Sequence, residues 1–178
     1  MSASPEFSRP RRLDTIGEGS IAVQIAAEAE ERRKLAGRFG LSSLDRLEAD
    51  YTLRRDAAGI IASGRLQADV VQACTATGEP VPSTIDIPFD IRFLPERDGE
   101  LPDEVELDEG DMDTMFYAGS AIDLGEAAAE TLALAIDPYP RAPGAEAALR
   151  EAGVKTEKEA KPAGALAGLK DLLERKGG

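Results

Sequence analysis

The chain has 178 residues, 42% of them apolar, enough for one ordinary domain with loose ends but not for two large ones. Its 21 Lys and Arg stand against 34 Asp and Glu, a net charge of −13, and it has no His. That balance argues against non-specific binding to nucleic acid, which depends on cations neutralising phosphates. The missing His and the single Cys74 exclude a structural zinc site within one chain and the usual histidine general base.

Along the chain, Met1 to Pro10 lack the apolar core of a secretory leader, and no apolar run nears the roughly 18 residues of a membrane span. A lone cysteine fits a reducing compartment, so the expected location is the cytoplasm, away from any membrane. Arg9, Arg11 and Arg12 flank Pro10, and Ile21, Val23 and Ile25 alternate as in a short strand over 20–25. Good helix formers fill 26–39, with Gly40 where a C-cap favours glycine. In that helix Leu35 and Phe39 should face the core, with Glu30, Glu31, Arg33 and Lys34 toward water.

Three runs of period two follow, through Leu47, Ala49, Tyr51 and Leu53, then Ile60 to Val70, then Ile85 to Phe93. Turn-forming links at 56–59 and 77–80 predict an antiparallel meander. Gly64 inside the second run predicts a bulge or a close backbone approach, and Pro88 makes the third an edge, at least locally. Tyr51, Phe89 and Phe93 belong to the alternating apolar sets, so they read as core rather than as base-stacking residues.

Residues 96–113 hold ten acidic side chains and one basic one, and 96–130 carry −12 of the net charge. With Gly99, Pro102 and Gly110 interspersed, 96–113 reads as an exposed loop. Asp123 and Glu126 have the spacing of a capping box for a helix over 124–136, which stops before Asp137-Pro138. Residues 141–164 lose all apolar period and read as a disordered linker, apart from transient helix near 144–152. A short amphipathic helix is expected at 165–176, with Leu166, Leu169, Leu172 and Leu173 on one face. The fold class is therefore α+β: an antiparallel sheet or partly closed barrel of four to six strands in one domain over 1–140, packed by two main helices, with a disordered C-terminal tail.

Phe7-Ser8-Arg9, Glu30-Glu31-Arg32, Cys74, the acidic stretch, Ile122-Asp123-Leu124-Gly125-Glu126 and Pro138-Tyr139-Pro140 occur in an order that resembles the YceD family, the large ribosomal RNA subunit accumulation proteins. The resemblance runs over about 7–143 and extends to Leu166-Ala167-Gly168-Leu169-Lys170. It implies a role in the build-up of large-subunit ribosomal RNA and supplies no catalytic residue. The family's Cys-x-Arg-Cys-Leu segment falls on Cys74-Thr75-Ala76-Thr77-Gly78, so only its first cysteine is present. Nothing basic adjoins Cys74 in sequence, which favours an apolar filler over a reactive thiol.

The expectation that results is a non-catalytic ribosome-biogenesis factor without cofactor or metal. It would be an adaptor whose Asp103, Glu104, Glu106, Asp108, Glu109, Asp111 and Asp113 contact a basic large-subunit ribosomal protein or processing factor. Arg9, Arg11, Arg12, Arg32 and Arg33 are candidate contacts to ribosomal RNA, against the plainer reading of helix-surface charges paired with Glu28, Glu30 and Glu31. Two alternatives stand beside it. One is a ribonuclease that holds divalent metal on the acidic stretch, although the stretch lacks EF-hand spacing; the other is an acidic chaperone for basic proteins.

Overall fold

The computed structural model describes residues 5–96 and 113–154. Among these, a five-stranded sheet carries the fold. Its strands are β2 (Ile21–Ala26), β3 (Ser43–Arg55), β4 (Ile60–Ala73), β5 (Pro80–Pro95) and β6 (Asp113–Tyr117), in that spatial order. The first four pair antiparallel as the alternation predicts, and β6 then adds parallel to β5. A separate two-stranded ribbon joins β1 (Pro10–Arg12) to β7 (Ala121–Asp123), with the central pair Arg11 and Ile122 more than a hundred residues apart in sequence. The α+β class with antiparallel sheets holds, but neither sheet closes into a barrel, because the second ribbon pairs only with itself and the large sheet keeps two edges.

Register explains which face is buried. Val23, Tyr51, Gly64 and Phe89 form one row across four strands, and Ile25, Ala49, Leu66 and Ile87 form the next. Both rows lie on the face covered by α1 (Ala29–Phe39) and α2 (Leu124–Ala135), which rest over β3 and β4. The other face carries Asp50, Arg65, Asp86 and their polar neighbours, so a slip by one residue would bury charge. Leu35, Leu47, Leu53, Leu66 and Leu132 are fully buried, each contributing about 1.5–3 kcal/mol of transfer free energy.

Gly64 is required by packing. A Cβ built there would sit 1.9 Å from the Asp50 carbonyl oxygen and 2.8 Å from the Phe89 ring. Its absence lets Tyr51 and Phe89 meet across the row, with ring centroids 4.8 Å apart at 56°. The Tyr51 hydroxyl then donates to the Leu124 carbonyl at 2.8 Å, tying the sheet to the first turn of α2, and burial raises its pKa.

Two boundaries differ from expectation, and the edge at Pro88 is as expected. The first helix begins at Ala29, three residues late, because the chain pairs as strand through Ala26. Only residues 91–95 of β5 meet β6, so the part around Pro88 is a sheet edge as proline requires. The expected linker at 141–164 contains ordered structure where it is described. There α3 (Ala145–Glu151) follows a segment whose Ala142, with Ala145, packs on Cys74 and excludes water from a small apolar cluster. The helix lies within the 144–152 span where transient helix is expected, and what periodicity did not reveal is the packing of this segment on Cys74. The rest of that segment and the helix expected at 165–176 lie outside the described residues. Among the described residues no helix is long and apolar enough to cross a membrane.

Candidate functional site

The basic N-terminal residues are mostly engaged within the molecule. Asp123 stands at the start of α2 and accepts N–H bonds from Gly125 and Glu126 at 2.9 and 3.2 Å, as an N-cap should. The same carboxylate accepts the Ser8 hydroxyl and the Arg9 N–H, so it also fixes the N-terminal strand. From there the Arg9 guanidinium donates to both oxygens of Glu31 at 2.7 and 2.8 Å, and to the Ser8 and Ala26 carbonyls, while it stacks 4.6 Å from the Phe7 ring centroid. This bidentate pair holds the Glu31 carboxyl below its ordinary value. Glu31 in turn accepts the Glu28 N–H at 2.7 Å and so secures the first turn of α1.

The remaining cations divide. Arg38 bridges Glu126 and Glu6, joining α1 to α2. Arg32 donates to the Ala27 carbonyl at 2.6 Å, and Arg12 pairs with exposed Asp14. Arg11 is half-buried with its Nε lacking a hydrogen-bond partner, and Arg33 is exposed without an ion pair among the described residues. The five candidate RNA contacts are thus not one free patch, because Arg9 directs its donors inward.

The acidic side has the opposite character. Asp113, at the start of β6, is paired in register with Ile91 of β5. Asp103, Glu104, Glu106, Asp108, Glu109 and Asp111 lie outside the described residues. No Lys or Arg occurs from 113 to 140, and Asp90, Asp113 and Glu130 are exposed without ion pairs among the described residues. No cluster of three potential metal-ligating side chains gathers among the described residues.

Next to Asp113 an open groove of about 270 Å³ runs between the uncovered part of β5 and the last turn of α2, lined by Ile87, Phe89, Asp90, Leu134 and Ala135. Leu134 is 79% exposed. Leu124 and Leu132 of the same helix are buried in the core, whereas the sequence reading gave Leu134 no role. A large apolar residue on the polar side of a helix was the available signal.

Cys74 directly follows β4, in the small cluster with Ala142 and Ala145. It is buried like a filler, yet its Sγ accepts the Ala142 N–H at 3.3 Å. That bond, with the Thr77 hydroxyl beside it, brings the thiol down to about 7. The Thr77 hydroxyl therefore lies against the Cys74 thiol.

No curated protein and no solved structure matches the chain. The family model described as large ribosomal RNA subunit accumulation protein YceD matches residues 62–173, from β4 through α2 and α3 and beyond. That match spans more than half of the sequence and includes the groove, the acidic stretch and the Cys74 turn, so the chain belongs to the YceD family, the large ribosomal RNA subunit accumulation proteins.

Proposed function

We propose that the protein is a non-catalytic cytoplasmic adaptor in assembly of the large ribosomal subunit, and that its acidic side engages a basic ribosomal protein or processing factor. The observation that carries this reading is the unpaired acidity around β6, in a family named for accumulation of large-subunit ribosomal RNA. Carboxylates already paired with arginine have little attraction left for a partner, whereas unpaired ones steer a basic protein toward them. Asp103, Glu104, Glu106, Asp108, Glu109, Asp111 and Asp113 supply the contact, and of the five candidate arginines Arg33, exposed and in no ion pair among the described residues, is the one most available to RNA.

Neutralising the seven acids to Asn and Gln in the full chain tests this. The expected result is loss of salt-sensitive co-purification of large-subunit ribosomal proteins and lower accumulation of large-subunit ribosomal RNA. Unchanged recovery of both from cells carrying that variant would refute the adaptor reading. Charge reversal at Arg33 separates an adaptor from a simple chaperone, since only an adaptor should lose co-purifying RNA.

A further inference from the structure

We propose that the groove between β5 and α2 is the anchoring site for a Lys- and Arg-bearing segment of the partner that presents one apolar side chain to Leu134. This rests on the adaptor reading and adds where and how the basic partner is held. An acidic surface alone attracts any cation and releases it in salt, so a specific complex needs a desolvated apolar anchor within a charged rim. Ile87, Phe89, Leu134 and Ala135 form the apolar floor, and Asp90 and Asp113 stand at its edge.

Complementarity of charge identifies the occupant. No cation lines the groove, and Glu130 lies one helical turn before Leu134. Burial and the charge of Glu126 hold the Glu130 carboxyl above its ordinary value, so it too gains from an incoming cation. The occupant is held by side chains rather than by adding a strand. Among the described residues nothing pairs with the outer edge of β5 from Pro80 to Asp90, but Pro82 and Pro88 have no N–H to offer and interrupt any continuous ladder there.

The test uses the full chain and two fluorescent peptides of Lys, Arg and Gly, identical except that one carries two leucines where the other carries serines. The leucine peptide should bind about tenfold more tightly, as expected for burying one leucine. Leu134→Ser should abolish that preference, and Phe116→Ser, at an exposed aromatic on β6, should leave it intact. Leu134 is exposed, so the variant should keep the parent's unfolding midpoint. Asp90→Asn with Asp113→Asn should weaken both peptides and flatten their salt dependence. Equal binding of the two peptides, or a preference that survives Leu134→Ser, overturns the groove while leaving the adaptor reading standing. If neither peptide binds, both readings fall. Two further results also overturn the proposal by naming another occupant. Leu169→Ser with Leu172→Ser that raises peptide affinity assigns the groove to the chain's own terminal segment, and a dimer that Leu134→Ser dissociates assigns it to a second copy.

Discussion

The N-terminal clamp and the β5–α2 side carry opposite charges, and they differ more in what those charges touch than in sign. Around Arg9, Arg38 and Asp123 nearly every charged group meets a counter-charge or a backbone group from a distant part of the chain. Around Asp90, Asp113 and Glu130 the carboxylates are exposed and in no ion pair among the described residues. Counting charge by segment therefore misplaces function: cations that look free in sequence hold the fold together, while the acids keep their attraction for something else. Electrostatic attraction is available to a partner only from groups the fold has not already neutralised.

The comparison can be broken most forcefully at Asp123. Asp123→Ala removes an N-cap and the anchor of Ser8 and Arg9 together, and should cost about 3 kcal/mol in chemical denaturation. Arg9→Ala should cost less, about 2 kcal/mol, because the pair with Glu31 is partly exposed and screened. If either change proves neutral, the N-terminal charges are surface decoration and the contrast between the two regions disappears.

Acid should expose the same difference more gently. Glu31 has a folded pKa below its ordinary 4.5 because Arg9 donates to it, so the stability from this pair is complete above that value and is lost as pH falls through the lowered one. The acid limb of a stability–pH curve should therefore flatten in Glu31→Gln relative to the parent. An unchanged limb would mean that Glu31 does not sense Arg9. Smallest in stability, and most informative about function, is Asp90→Asn with Asp113→Asn. Its unfolding midpoint should match the parent within the error of calorimetry while basic-peptide affinity falls, the reverse of what Arg9→Ala does. A large shift in the midpoint would place these acids in the fold's own support.

Local order was readable where a short-range pattern has one physical cause. Period two exposed β3, β4 and β5, turn composition joined them, and Gly64 and Pro88 marked a close approach and an edge. Asp123 was recognisable as a cap because capping needs only the next three residues. Its second duty toward Ser8 and Arg9 was not, since those partners lie more than a hundred residues away in sequence. The same limit concealed the bidentate use of Arg9, the parallel addition of β6 and the cover that Ala142 and Ala145 give Cys74.

By itself the sequence determined the class of fold, the apolar face of β2 to β5, the absence of histidine chemistry and the segregation of acidic charge. Those follow from residue type and spacing, which act over a few bonds. Tertiary structure alone decided which arginines are engaged, which carboxylates are left unpaired, and that Leu134 stands over a groove instead of in the core. Each of those depends on segments distant in the chain meeting in space, and pairing, burial and desolvation exist only once they have met.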